Sequence, residues 1–312
     1  MKIVFMGTPD FAVASLDKIF NSQHDIVGVI TAPDKPSGRG QKMRPSPVKV
    51  YAEENNLNLL QPTNLKDEDF IKELQALKAD LFVVVAFRML PAVVFEMPEK
   101  GTINLHGSLL PDYRGAAPIN WAVMNGEKVT GATTFFIEQK IDTGAIIDQI
   151  EIAISDDMTA GELHDDMMIK GAELLLNTLD KIETGDYQSK DQPKGDIPKK
   201  AYKIFKDTCR VDWNLTEKNI HNHIRGLSPY PAAWSNLNVD GKVISCKILQ
   251  SKRAGNAFNG DVGEIIFDQK SIFAICPDGC IEILRIQPAG KKAMNASDFI
   301  NGFKDKKIKF ES

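Results

Sequence analysis

Met1-Lys-Ile-Val-Phe-Met-Gly7-Thr-Pro-Asp10-Phe-Ala-Val-Ala-Ser-Leu-Asp-Lys-Ile-Phe-Asn21 is the stretch that decides the fold. Lys2 to Met6 is a short apolar run with β-branched residues, as expected of a first strand. A turn, Gly7-Thr8-Pro9-Asp10, leads into an amphipathic helix from Ala12 to Asn21. The alternation then repeats, with a strand pattern at Asp25 to Thr31, helical patterns at Pro47 to Asn55 and Asp67 to Leu77, and another apolar run at Leu81 to Ala86. Strands alternating with helices of this length predict parallel βαβ units in a doubly wound, Rossmann-like α/β sheet. Such sheets bind ligands outside the carboxyl ends of their strands, so chemistry is expected in the loops after Met6, Thr31, Ala86 and Asn104. The first turn lacks the second and third glycines of a dinucleotide fingerprint, which disfavours dinucleotide binding.

Farther along, Asp186 to Lys200 is polar, holds two prolines and a glycine, and shows no apolar period; it reads as an exposed linker. Thr216-Glu-Lys-Asn caps a predicted helix running to Leu227, with Ile220, Ile224 and Leu227 as its stripe. Short strand patterns follow at Val243 to Leu249, Val262 to Phe267, Ile272 to Ile275 and Cys280 to Ile286, broken by Asp240-Gly241 and Asp278-Gly279. They predict a small antiparallel β-barrel of the OB-like kind. The expected organisation is a catalytic domain over residues 1–189, a linker over 190–206 and the barrel over 207–312.

Composition agrees with two globular domains: 312 residues, 43% hydrophobic and 26% charged. No run of about 18 apolar residues is present, and the amino end reads as a first strand rather than a leader, so a cytoplasmic location is expected. Four cysteines are too few for a disulfide framework, and Cys276 and Cys280, without a second pair nearby, read as small apolar residues rather than a zinc site. Charge is uneven. Residues 1–200 carry 21 Lys and Arg against 30 Asp and Glu, a balance of −9, whereas 201–312 carry 17 against 12, or +5. A basic second half points to a polyanion as partner.

The stretch from Asn104 to Pro118, Asn-Leu-His-Gly-Ser-Leu-Leu-Pro-Asp-Tyr-Arg-Gly-Ala-Ala-Pro, is the most informative chemically. Asn104 and His106, two apart at a strand end, point to one side, so an amide donor and an imidazole address one small volume. The glycines and prolines after them imply a shaped loop whose backbone can meet a ligand. A second strand from Thr133 ends in the turn Asp142-Thr143-Gly144. Alone that is an ordinary turn; beside Asn-x-His its carboxylate can orient the imidazole and favour its charged form.

Met6-Gly-Thr-Pro-Asp-Phe-Ala12, Ser37-Gly-Arg-Gly40, Pro45-Ser-Pro-Val-Lys49, His106-Gly-Ser-Leu-Leu-Pro111, Arg114-Gly-Ala-Ala-Pro-Ile119, Asp142-Thr-Gly144 and Gln287-Pro-Ala-Gly-Lys-Lys-Ala-Met294 resemble, in order and over nearly the whole chain, the methionyl-tRNA formyltransferases. The Asn-x-His and Asp-Thr-Gly parts are shared by all 10-formyltetrahydrofolate-dependent formyltransferases, including those acting on amino sugars. The first phrase, the Arg39 loop and the last phrase narrow the acceptor to charged tRNA. The resemblance implies that Asn104, His106 and Asp142 are catalytic and that Ser108, Leu109, Leu110 and Pro111 line the folate site. It implies 10-formyltetrahydrofolate as co-substrate and initiator methionyl-tRNA as partner; the reaction requires no metal, the lack of a long apolar run implies no membrane, and a monomeric enzyme is expected. Many relatives have Tyr-Gly where this chain has Phe87-Arg88, so those two residues are expected to reshape a wall of the folate pocket. In the basic loop Asp34 to Lys49, Arg39 and Lys42 are expected to contact tRNA, as are Lys203 and Lys206 after the linker; such contacts mostly grip phosphates. The rival readings are a sugar-nucleotide formyltransferase and a noncatalytic RNA-binding module.

Overall fold

The computed structural model describes residues 1–37, 42–195, 199–303, 306 and 308–311. The chain divides into two compact units. One comprises Met1–Gly115, Thr130–Ile152 and His164–Lys200, and the other Ala116–Val129, Ala153–Leu163 and Ala201–Ser312. Two segments that precede the linker in sequence therefore group with the carboxyl-terminal part.

The first unit is built on a seven-stranded sheet. Its strands are β1 (Lys2–Gly7), β2 (Asp25–Ile30), β3 (Leu59–Leu60), β4 (Leu81–Val85), β5 (Thr102–His106), β6 (Val129–Phe136) and β7 (Ile146–Ala153). They lie in the order β7-β6-β5-β4-β1-β2-β3. From β3 to β5 neighbours pair in parallel, and β6 runs antiparallel to β5. This is the doubly wound arrangement expected from the sequence, and the direction of winding reverses between β1 and β4, the crevice where such sheets take ligands. Ile3, Val4, Phe5 and Met6 of β1 are fully buried, which accounts for the uninterrupted apolar run. Gly7 ends β1 in close quarters: a Cβ there would lie 2.6 Å from that of Ala12. Its absence lets helix Asp10–Phe20 start hard against the strand. Helices Pro47–Glu54 and Glu68–Ala76 are capped by Ser46 and Asp67, whose side chains accept from the backbone N–H groups of the first turn. The 25-residue helix Ala160–Thr184 was not anticipated from the sequence.

The second unit centres on an antiparallel sheet of β8 (Ala233–Val239), β9 (Lys242–Gly255), β10 (Ile265–Asp268), β11 (Ser271–Cys276), β12 (Gly279–Pro288) and β13 (Ile308–Glu311), in the order β10-β11-β12-β9-β8-β13. The sheet curls until its ends meet: Glu264 bridges Lys309, and the Phe310 N–H donates to the Gly263 carbonyl at 2.8 Å. That curl is the OB-like barrel. Inside it Trp213 stacks on Phe310 at 4.6 Å between ring centroids. The predicted helix is present as Glu217–Leu227, capped by Thr216, with Ile220, Ile224 and Leu227 fully buried. Helix Pro118–Met124 packs on it, and the Asn120 amide donates to the Gly226 carbonyl at 2.8 Å. All four cysteines are free and buried. Among the described residues, no helix is long and apolar enough to cross a membrane.

Candidate active site

Strand β5 delivers Asn104 and His106 to one face of the sheet, with Asn104 in register with Val84 and Phe135 and His106 with Thr133. His106 is only 6% exposed and meets the Phe135 ring edge-on. Its Nε2 lies 2.9 Å from the Tyr113 carbonyl oxygen. A carbonyl only accepts, so this nitrogen carries the proton in the neutral ring, and Nδ1 is left as the acceptor. Nδ1 is 3.8 Å from Asp142 Oδ2. Asn104 is half-buried, and its side-chain amide makes no hydrogen bond among the described residues.

The carboxylate is held from several directions. Asp142 sits at φ +53°, a left-handed conformation that Asp tolerates better than most residues. Its Oδ2 accepts from the Gly115 N–H at 2.8 Å. Two residues on, a Cβ at Gly144 would lie 1.7 Å from the Phe136 carbonyl oxygen, so only glycine fits the turn. Gln192 then clamps the turn. Its amide donates to the carbonyls of Asp142 at 3.1 Å and Gly144 at 2.7 Å, while its own oxygen accepts from Arg114 Nε and the adjacent terminal nitrogen at 3.1 and 2.7 Å. Gln192 lies in the stretch expected to be an exposed linker. It is buried, and that part of the reading is corrected: its polar side chain is drawn inside because it satisfies two buried carbonyls and a guanidinium.

The loop after His106 is bonded to itself and to β6. Ser108 Oγ donates to the Asp112 carbonyl at 2.6 Å, Thr133 Oγ1 donates to the Ser108 carbonyl at 2.6 Å, and the Leu110 N–H donates to Thr133 Oγ1 at 3.1 Å. Gln149 donates to the Leu110 carbonyl at 3.0 Å, and the Leu110–Pro111 peptide is cis. Ser108 and Leu110 are buried, while Leu109 and Pro111 are half-buried.

Phe87 packs against the apolar cluster around Phe82 and Val94. Arg88 lies 5.6 Å over the Phe87 ring and donates to the Pro62 carbonyl and, at 3.0 Å, to that of Thr63, so it ties together the loops after β3 and β4. Arg39 lies outside the described residues. Lys42 opens the short strand Lys42–Arg44, which pairs with Lys35–Ser37. At the base of this loop Lys49 Nζ is 2.7 Å from Asp34 Oδ2, and that bond, with one from Gln61, holds the Asp34 carboxyl below the usual carboxylate range. One of the loop's five cations is thus already neutralised. In the second unit Lys203 and Lys206 are exposed, each with its ammonium over an aromatic ring. Among the described residues one group has metal-ligating geometry, His24 with Asp180 and Glu183, whose donor atoms lie within 4.8 Å of one another. Glu183 there also holds the Met1 ammonium at 2.6 Å.

Residues 1–179 match the model of the formyl transferase family, and residues 203–304 match that of the formyl transferase carboxyl-terminal domain. The chain is 53% identical to a methionyl-tRNA formyltransferase of Flavobacterium johnsoniae over 97% of its own length and 96% of the relative's. It is 49% identical to a methionyl-tRNA formyltransferase of Bacteroides thetaiotaomicron, over the same shares of the two chains. A solved N-formyltransferase from Helicobacter canadensis, in complex with folinic acid and dTDP-3-aminofucose, shares the fold: TM-score 0.66 at 24% identity, over 92% of this chain and 99% of that one.

Proposed function

The chain belongs to the formyl transferase family, among the methionyl-tRNA formyltransferases, and we propose that Asn104, His106 and Asp142 carry out its reaction. That reaction moves the formyl group of 10-formyltetrahydrofolate to the α-amino group of methionine on initiator methionyl-tRNA, giving N-formylmethionyl-tRNA for translation initiation. The amine attacks the formyl carbon, and the carbonyl oxygen becomes an oxyanion. Asn104, whose amide has no other partner among the described residues, donates to that oxyanion. The attacking amine must shed a proton. His106 takes it on Nδ1, since Nε2 already donates to Tyr113, and the imidazolium so formed faces the Asp142 carboxylate. When the bond from the formyl carbon to the folate N10 breaks, the same proton passes to N10, so charge and protons balance and the oxyanion returns to a carbonyl.

The single observation that supports this reading is an Asn104 amide without a partner among the described residues, two residues from an imidazole whose other nitrogen looks at a held carboxylate. With Ser108 and Leu110 turned inward, the folate site draws on Leu109, Pro111 and the loop's main chain, with Phe87 braced by Arg88 along another wall. Arg39, Lys42, Lys203 and Lys206 grip tRNA phosphates. We take the enzyme to be a monomer, and its part in translation supports work in the cytoplasm. Side-by-side assays with methionyl initiator tRNA and with amino sugars test the reading: formylation of the tRNA is expected, and formylation of the sugar alone would overturn it.

A further inference from the structure

Between Ala201 and Arg210 the second unit carries three cations, Lys203, Lys206 and Arg210, against one acid, Asp207. Two rings are interleaved with them, Tyr202 and Phe205, and these are 63% and 62% exposed. Aromatic rings bring a large apolar area that folding normally hides, so two such rings left open in one basic stretch offer a surface to a partner. The main chain at both positions is anchored. Trp121 Nε1 donates to the Tyr202 carbonyl at 2.7 Å, and the two rings meet edge-on at 6.3 Å. The Phe205 carbonyl accepts from Cys209 Sγ at 3.3 Å, and Lys203 Nζ lies 5.5 Å from the centre of the Phe205 ring. Beside them Lys206 and Arg210 lie 5.4 and 5.9 Å from the centre of Trp234, whose Nε1 donates to the Lys206 carbonyl at 2.8 Å. The backbone at Tyr202, Phe205 and Lys206 is therefore tied down, and each cation stands beside a ring.

Solvent-facing rings alternating with cations suit unpaired nucleic acid: each ring can stack on a base, and the neighbouring cations take the phosphates between bases. Duplex would not use the rings, because in a helix both faces of a base are covered by its neighbours. The unpaired stretch that the reaction must bring to the enzyme is the single-stranded acceptor end bearing the methionine. We infer that Tyr202 and Phe205 form a stacking platform for unpaired bases of the tRNA acceptor end, with Lys203 and Lys206 holding the intervening phosphates. The inference rests on the tRNA reading above and adds to it two residues and a mode of contact that carries no electrostatic signature.

The test compares full-length wild type, Tyr202→Leu, Phe205→Leu and Phe205→Tyr for binding of uncharged initiator tRNA, intact or trimmed of its single-stranded 3′ end, over a salt series. Leucine keeps apolar bulk and removes the ring at positions too exposed to endanger folding. Each leucine variant should bind intact tRNA about tenfold more weakly at every salt concentration, with the salt slope unchanged. Phe205→Tyr should bind as wild type. Trimmed tRNA should bind wild type and both leucine variants alike. Unchanged binding of intact tRNA by both leucine variants, or an equal loss on trimmed tRNA, would overturn the platform. Formylation of methionyl-tRNA by wild type, run in parallel, separates the two readings: its absence removes the tRNA reading itself, whereas its presence with ring-indifferent binding removes the platform alone.

Discussion

His106 Nδ1 stands 3.8 Å from Asp142 Oδ2, about 1 Å longer than a charge-assisted hydrogen bond. The opposite nitrogen of the ring is already committed to the Tyr113 carbonyl. In the neutral ring two acceptors face each other across that gap. Protonation of Nδ1 turns the arrangement into an attractive pair. In the proposed mechanism the ring nitrogen that accepts the amine proton thus faces the carboxylate. Asp142→Asn keeps an oxygen for the Gly115 N–H and removes the charge. Turnover should fall by about 10² or more, with tRNA affinity and thermal stability close to wild type. Single-turnover formylation alongside tRNA binding measures this, and near-normal turnover would remove the carboxylate from the mechanism.

Gln192 touches no reacting atom in this scheme; it positions Asp142 through the turn. Gln192→Ala should lower kcat by about tenfold while leaving the KM for both substrates nearly unchanged, because the fault is misplacement of a group that acts in the transition state. Built into Asp142→Asn, the same change should cost little more. Full additivity in that double-mutant cycle would show that Gln192 acts elsewhere.

Gly144→Ala would drive a methyl group into the Phe136 carbonyl oxygen at 1.7 Å. Backbone must move to relieve it, at a cost of about 3 kcal/mol, in the range of overpacked interiors. Urea unfolding should show that loss, together with reduced activity in whatever folds. A stability equal to wild type would mean that the turn can open without penalty.

Acid should weaken the second unit through His221. The ring is 2% exposed, and burial, with Arg225 adding to it, pushes its pKa below the ordinary histidine value. Ser251 Oγ, the Asp156 carbonyl and Asp157 Oδ1 surround it at 3.1, 3.2 and 3.3 Å, and the opposing pull of Asp157 does not overcome the burial. The folded state holds this histidine neutral, whereas the unfolded chain takes up the proton near pH 6.5. Its contribution is therefore complete above about pH 6.5 and is lost as pH falls toward the depressed folded pKa, with a slope of at most about 1.4 kcal/mol per pH unit. Urea unfolding between pH 7.5 and 5 should show a shallower slope for His221→Gln than for wild type. Identical slopes would place the acid sensitivity in other groups.

Much of this was legible in the sequence because it is local or periodic. The buried run Ile3 to Met6, the Ile220, Ile224 and Leu227 stripe and the two-residue spacing of Asn104 and His106 each follow from the geometry of one element. What stayed hidden depends on partners distant in sequence or on backbone atoms. Gln192, fifty residues from Asp142, sits in a polar stretch with Pro and Gly and has no apolar neighbour to announce its burial. Tyr113 acts through its carbonyl, which every residue possesses. Arg88 looked like a ligand-facing cation, and the bonds it makes to the Pro62 and Thr63 carbonyls exist only once β3 and β4 lie in one sheet. Lys49 counted toward a basic loop until the fold placed Asp34 beside it.

The most direct test of the account is the rate at which methionyl-tRNA gains the mass of one formyl group from 10-formyltetrahydrofolate, followed in a single turnover with both substrates saturating, for wild type and for His106→Ala. Removing the imidazole takes away the proton acceptor that we propose for the mechanism. The product should form with wild type, and at least about 10²-fold more slowly with His106→Ala, while both proteins bind tRNA and folate alike. Formation at a near-wild-type rate without the imidazole would contradict the assignment of this site.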